Sequence, residues 1–160
     1  MGNHPMKTYK RFASGLLLAM LSQVHAAQLD NRQTALVIKH VAASLKNEKS
    51  TGCVAVLDAS GTLLAFQRFD GATPGCVDAA IGKARTSALY RTPSLKFMQR
   101  LQNGETAVLA IPHALALGGG YPLTLRHEVV GALGVSTPSQ QLDNQASQAA
   151  AEALNSPAAD

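Results

Sequence analysis

The feature that most constrains the fold is a β-hairpin pattern near the middle of the chain. A short turn with Gly61 separates two runs of strand-forming residues, CVAVLD from residue 53 and TLLAFQRFD from residue 62. Glycine tolerates the positive φ that a tight turn requires. The second run carries apolar side chains on both faces, Leu63 and Ala65 on one and Leu64 and Phe66 on the other. A sheet of such strands needs cover on both sides, which predicts helix layers on each face.

Helical patterns account for most of the remaining chain. Residues 30–49 are predicted to form a helix that Asp30 caps, with Gln33 completing a capping box. Thr-Pro pairs at 73–74 and 137–138 open two further helices, and a short helix surrounds Phe97. A strand is predicted over 106–111 and a second hairpin over 121–136, after the glycine run 118–120. Short hairpin links predict an antiparallel sheet, and the element order predicts an α+β fold.

The first predicted helix has two apolar lines instead of one. The buried stripe is predicted to run through Thr34, Val41 and Leu45. Leu36, His40 and Ala43 form a second line on another face, which an ordinary surface helix does not need. We therefore expect another surface to cover this line.

The first 26 residues resemble a secretory signal peptide. Lys7, Lys10 and Arg11 form a basic start, an apolar run follows, and Val24 and Ala26 are small residues suited to cleavage. Removal of this leader would leave one domain over residues 27–160. It would also remove three basic residues and no acidic ones, lowering the formal net charge from +4 to about +1. The sequence therefore predicts a periplasmic or secreted protein.

Charge and apolar runs exclude several functions. Without its leader the chain has almost no net charge and no cluster of Lys and Arg, so nothing indicates a nucleic-acid partner. No apolar run approaches the length of about 20 residues that spans a bilayer. The predicted product is a domain without a membrane span, whose core is aliphatic and rich in alanine.

The two cysteines outside the leader, Cys53 and Cys76, have two open interpretations. In an oxidising compartment they form a candidate disulfide, and closing that loop would stabilise the fold by about 3 kcal/mol. They could equally be free and serve only for packing. Together with His40, His113 and His127 they show no zinc-site spacing, so no metal is expected from this set.

Common catalytic signatures are absent. The segment around Ser136 lacks the second glycine of a nucleophile elbow, and the glycines 118–120 match neither a dinucleotide fingerprint nor a phosphate loop. The backbone amides of Gly119 and Gly120 are nevertheless candidates for cradling a carboxylate.

Charged residues gather in two segments, RFDGA and GKART. These hold Arg68, Asp70, Lys83 and Arg85, with Thr86 beside them. One interpretation is a structural ion-pair network. The other is an anchor for an anionic ligand, because Arg and Lys beside a glycine loop suit carboxylates.

The chain resembles the GlcG/HbpS-like family, also labelled the haem-degrading domain family. The blocks that carry the resemblance are VAVLDASGTLLAFQRFDGA, AAIGKARTSA and GGGYPLTLRHEVVGALGVS, followed by Asp143. They cover nearly all of the chain after the leader. The resemblance implies a three-layer α/β/α, profilin-like fold with a five-stranded antiparallel sheet, and a homo-oligomer whose partner covers the second line of the first helix.

The resemblance also implies haem as a cofactor of exported members. The candidate axial ligands in this sequence are His40, His113 and Tyr121, and no metal other than haem iron is expected. Arg68, Lys83 or Arg85 would hold the propionates. His127 is predicted to lie exposed at a hairpin tip, without a functional role.

A second function class stays open. A cofactor-independent enzyme could act on a small carboxylated or aromatic metabolite, with Asp70 or Glu128 as the base and Arg68 or Lys83 holding the anion. Whether the protein is an enzyme is not decided by the sequence, because family membership does not fix function. The leader favours the haem binder, since catabolic relatives would work in the cytoplasm.

Overall fold

The computed structural model of the protein describes residues 1–2 and 27–155. The elements in chain order are α1 (Asn31–Asn47), β1 (Cys53–Asp58), β2 (Leu63–Arg68), α2 (Cys76–Tyr90), α3 (Leu95–Gln102), a 3₁₀ helix (Thr106–Ala110), β3 (Gly120–Leu125), β4 (Glu128–Ser136) and α4 (Gln140–Asn155). Residues 3–26 of the predicted leader lie outside the described part. Among the described helices, none has both the length and the apolar character needed to cross a membrane.

Within the described residues the strands form one antiparallel sheet in the order β2-β1-β4-β3. Both predicted hairpins are present, β1 with β2 and β3 with β4. The central pairing joins β1 to β4, with Cys53 opposite Ser136 and Asp58 opposite Gly131. The predicted α+β class is therefore confirmed, while the profilin-like description stays a prediction.

Helices cover the sheet on both faces because β1 is apolar on both. Val54 and Val56 belong to a core that includes residues of α1 and α4. The alternate residues Cys53, Ala55 and Leu57 belong to a second core shared with α2. A strand turns successive side chains to opposite faces, so these two cores lie on opposite sides of the sheet. The fold has three layers, α2, the sheet, and the α1–α4 pair.

The expectation of five strands is wrong for the described residues, because the segment predicted as a strand over 106–111 forms a 3₁₀ helix instead. The segment follows α3 after only a short turn and packs back on it. Val108 is fully buried in a small cluster with Phe97, while Leu109 stays exposed. One buried anchor suits a single helical turn better than a strand, which would need a neighbour to pair its backbone.

Local sequence signals determine where α1 begins and how closely α2 packs against the sheet. The predicted capping box of α1 is present, because Asp30 Oδ1 accepts the Gln33 N–H at 2.7 Å and Gln33 Oε1 accepts the Asp30 N–H at 2.9 Å. On β4, a Cβ at Gly134 would lie 2.1 Å from the Ala80 carbonyl oxygen of α2. Only glycine permits this close contact between helix and strand.

Candidate functional site

An open groove of about 880 Å³ lies where the β1–β2 and β3–β4 turns meet at one end of the sheet. We call it the turn groove. Its lining comes from four places: residues 27–29 before α1, the turn after β1 with Leu64, the residue that follows α2, and the β3–β4 turn with the start of β4. The lining residues are Ala27, Gln28, Leu29, Asp58, Ala59, Ser60, Leu64, Arg91, His127, Glu128, Val129 and Val130.

The rim formed by the β1–β2 turn is held in place by Asp58. Its Oδ1 accepts hydrogen bonds from Ser60 N–H at 2.9 Å, Ser60 Oγ at 2.6 Å and Thr62 N–H at 2.9 Å. Burial alone would raise the pKa of Asp58, but the hydrogen bonds from Ser60, Thr62 and Gly61 outweigh it and lower the pKa. The carboxylate is thus ionised at neutral pH, and its hydrogen bonds stabilise the turn.

Two residues that line the turn groove have positive φ, and both carry side chains that can bind a ligand. His127 has a φ of 68° in the β3–β4 turn, and Arg91 has a φ of 51° directly after α2. Histidine supplies a metal ligand or a proton acceptor, and arginine supplies a planar fork for a carboxylate. Leu64 is 43% exposed and adds an apolar wall. The groove can therefore hold a ligand with an apolar body and an anionic group.

Lys83 is buried away from this groove in an ion pair. Its Nζ lies 2.6 Å from Asp143 Oδ2 and 3.1 Å from the Val135 carbonyl oxygen, and the side chain is only 3% exposed. Asp143 Oδ1 also accepts the Thr137 N–H at 2.7 Å. Burial raises the pKa of Asp143, and Lys83 and Thr137 oppose that rise. The ammonium joins α2 to α4 and is not presented to a ligand.

Thr86, Gly119 and Gly120 allow close packing around α2. Thr86 Oγ1 accepts the Leu115 N–H and donates to the Gly82 carbonyl, both at 2.8 Å, which ties the loop before β3 to α2. A Cβ at Gly119, whose φ is +105°, would lie 2.7 Å from Asp143 Cβ. The Gly120 N–H donates to Ser94 Oγ at 2.8 Å. The amide of Gly120 is therefore already occupied.

The remaining predicted anion-binding residues lie on other surfaces. Arg68 is exposed at the end of β2, where its Nε donates to the Ala72 carbonyl at 3.0 Å. Asp70 is exposed, and its carbonyl accepts Thr51 Oγ1 at 2.8 Å. Arg85 is half-buried with its stem beside Gly61. Neither Arg68 nor Asp70 lines the turn groove.

The three candidate axial ligands are dispersed. His40 is exposed on α1, on the same open face as Leu36 and Ala43. His113 is exposed in the loop before β3. Tyr121 is half-buried against the core between the sheet and the α1–α4 pair. His127, to which the sequence assigned no role, is the histidine that lines the turn groove.

Cys53 and Cys76 are joined as a disulfide, with their Cα atoms 5.4 Å apart. The bond connects the first residue of β1 to the first residue of α2. The described residues contain no cluster of three or more His, Cys, Asp or Glu side chains placed to hold a metal ion.

The fold and the groove define an α+β domain of three layers with a ligand-sized opening at one end of its sheet. The family described as "Haem degrading protein HbpS-like" matches residues 17–152, and the chain belongs to this HbpS-like family. The resemblance found in the sequence blocks is thereby confirmed.

Two curated relatives match part of the chain. Protein GlcG of Escherichia coli strain K12 is 37% identical over 83 residues, which cover 52% of this chain and 62% of GlcG. A UPF0303 protein of Paraburkholderia phytofirmans is 37% identical over 92 residues, covering 53% of this chain and 55% of that protein. The chain thus spans less than two thirds of the length of these relatives.

Solved structures share the fold. A double mutant of HbpS from Streptomyces reticuli superposes with a TM-score of 0.75 at 28% identity, covering 94% of this chain and 100% of that one. A PduOC–haem complex superposes with a TM-score of 0.72 at 22% identity, covering 79% and 95%. At that identity the second likeness shows the fold alone.

Proposed function

We propose that the protein binds haem or a related tetrapyrrole in the turn groove. The observation that carries the proposal is that His127 and Arg91 line one groove together with apolar side chains. An imidazole to bind iron, a cation for carboxylates and an apolar wall are the three things that haem requires of a site. The HbpS-like family and the haem complex of PduOC support this choice.

The residues of the groove fit the group. A volume of about 880 Å³ lies within the range of about 300–1,000 Å³ that small-molecule sites span. Leu29, Leu64 and Val129 would contact the macrocycle, His127 would be the axial ligand, and Arg91 would pair with a propionate. Bound haem would supply an iron centre for ligand or electron chemistry, and the residues of the groove would bind and orient it.

Export and self-association are part of the proposal. We propose that the chain leaves the cytoplasm and is cleaved after Ala26, for which the leader sequence is the support. Intact mass of protein from the periplasm or medium tests this, and a product that keeps the leader would refute the proposed cleavage.

The open line of α1 that includes Leu36 and His40 supports a homo-oligomer, and light scattering of wild type and Leu36→Arg tests it.

Haem titration followed by absorption spectroscopy tests the site. His127→Ala should shift the Soret band because the iron loses its ligand. Arg91→Ala should keep the band position and weaken binding about tenfold, since one charge-assisted hydrogen bond is lost. His40→Ala and His113→Ala are matched controls, because both histidines are exposed and neither lines the groove.

The controls also decide between ligands. A shifted spectrum for His40→Ala with an unchanged one for His127→Ala would move the site to the α1 face and a partner subunit. Absence of any saturable Soret change in wild type at micromolar haem would refute haem binding. The enzyme alternative would then gain weight, because Glu128 lines the same groove as Arg91 and is placed to act as a base on a carboxylated compound.

A further inference from the structure

A second cavity, of about 330 Å³, lies at the other end of β1, about 20 Å from the turn groove by strand length. We call it the loop pocket. It lies between the loop 70–75, the start of α2 and the segment that joins β4 to α4. The lining residues are Thr51, Gly52, Gly71, Ala72, Thr73, Gly75, Cys76, Ser136, Thr137 and Pro138.

Ser136 supplies a buried polar group to the loop pocket. The residue is 8% exposed, and its hydroxyl has no hydrogen-bond partner among the described residues. On β4 it shares a face with Gly134, which contacts Ala80 of α2, so its side chain points to the α2 side where the pocket lies. Because Ser136 lines the loop pocket, its hydroxyl is available to donate a hydrogen bond to a polar ligand there.

The loop before α2 adds backbone donors. No described residue accepts a hydrogen bond from the N–H groups of Gly71, Thr73 or Gly75, all of which belong to lining residues. Gly71 has a φ of +76° in a tight turn in which the Ala72 N–H donates to the Phe69 carbonyl, and the N–H groups on either side of Ala72 remain available. These donors stand at the N-terminal end of α2, a helix of 15 residues whose dipole favours negative charge there.

The character of the lining selects the ligand. No acidic side chain lines the pocket. At the edge of the pocket, the Arg68 guanidinium donates to the carbonyl of Ala72. Ala72, the Cys76 side of the disulfide and Pro138 form apolar parts of the wall, and three threonines, at 51, 73 and 137, also line it. We propose that the loop pocket binds a small monocarboxylate with an apolar body, its carboxylate held by Ser136 and the loop amides.

Benzoate and its neutral analogue benzamide are suitable probes of the purified protein. Titration with each, followed by amide chemical shifts in two-dimensional NMR, reports both affinity and location. Benzoate should shift the amides of Gly71, Thr73 and Gly75 in a saturable way. Benzamide should bind at least tenfold more weakly, because it lacks the negative charge that the N–H groups favour.

Ser136→Ala should weaken benzoate about tenfold. Ser87→Ala is the matched control, because Ser87 is also a buried serine whose hydroxyl lacks a partner, yet it lies outside the loop pocket. Both variants remove one unpartnered serine hydroxyl, so a loss of benzoate affinity that is confined to Ser136→Ala points to the loop pocket. Circular dichroism of each variant checks the fold.

Three results would overturn the proposal: equal affinity for benzoate and benzamide, saturable shifts that fall only outside the loop, and equal effects of the two serine variants. The haem titration does not bear on this pocket, because His127 and Arg91 lie at the other end of the sheet. Failure of one proposal leaves the other standing.

Discussion

Replacing Lys83 by methionine would leave the Asp143 carboxylate buried without its counter-charge. Methionine keeps most of the apolar stem of lysine and removes the ammonium. That ammonium lies 2.6 Å from Asp143 in a pair whose side chains are both 3% exposed. The carboxylate would retain the Thr137 N–H at 2.7 Å. Breaking a buried pair in this way costs about 3–5 kcal/mol, so we expect a loss of that size at pH 7.

The loss of unfolding free energy should depend on pH, and the pKa of Asp143 determines whether it grows or shrinks as pH falls. Burial raises the pKa of Asp143 even while Lys83 opposes the rise, and without Lys83 the pKa rises further. A carboxyl whose pKa is higher in the folded than in the unfolded state takes up protons on folding, so its protein gains stability as pH falls through the folded pKa. The deficit of Lys83→Met should therefore be largest at pH 7 and smaller at pH 5.

Urea unfolding of wild type and variant at both pH values measures this deficit. The double variant Lys83→Met/Asp143→Asn is the control, because Asn removes the charge and keeps an acceptor for the Thr137 N–H. It should lose less than the sum of the two single variants. A deficit below about 1 kcal/mol at pH 7, the size typical of an exposed pair, or one that is unchanged at pH 5, would refute the reasoning.

Three further predictions concern stability. Replacing Cys53 and Cys76 together by alanine should cost about 3 kcal/mol, since the bond closes a loop with a sequence separation of 23 residues, and reductant should then have no further effect in urea unfolding. Asp58→Asn should destabilise the fold at pH 7. Because the pKa of Asp58 is lowered in the folded state, its ionised carboxylate stabilises the fold above the unfolded pKa, and this stabilisation is lost as pH falls through the folded pKa. The melting temperature of Asp58→Asn should therefore fall less below that of wild type in acid than at pH 7. An equal difference at both pH values would contradict this. Gly134→Ala should cost about 1–3 kcal/mol because its Cβ would overlap the Ala80 carbonyl oxygen, and a wild-type melting temperature would show that α2 can move aside.

Local signals predicted most of the fold. The capping pair Asp30–Gln33 and the turn at Gly61 each depend on neighbouring residues, and both are present as expected. The two apolar faces of the first hairpin correctly predicted helix layers on each side. The prediction of a strand over 106–111 is wrong because the composition of this segment suits a strand, whereas its structure depends on packing of Val108 against Phe97 of the preceding helix.

The candidate site was less predictable, because its groups meet across long sequence separations. Lys83 and Asp143 each belong to a segment that carries the family resemblance, but the sequence contains no signal that a lysine and an aspartate 60 residues apart pair in the core. Arg91 carried no motif, and its place in the groove follows from where α2 ends. The prediction that His127 lies at a turn with left-handed geometry is confirmed, but its place in the groove depends on a second turn, which brings Ser60 to the same opening.

The residues just before α1 connect the turn groove with the proposed cleavage of the leader. Ala27 and Leu29 pack against the core on the α1–α4 side, and Ala27 lines the turn groove. Ala27, the first described residue after the predicted leader, therefore lies at the rim of the groove. Cleavage after Ala26 would place a free α-amino group there, with an ordinary pKa of about 8, where an unprocessed or N-terminally tagged chain has a neutral peptide bond. Affinity for an anionic ligand would then differ between the two forms, most clearly below pH 8.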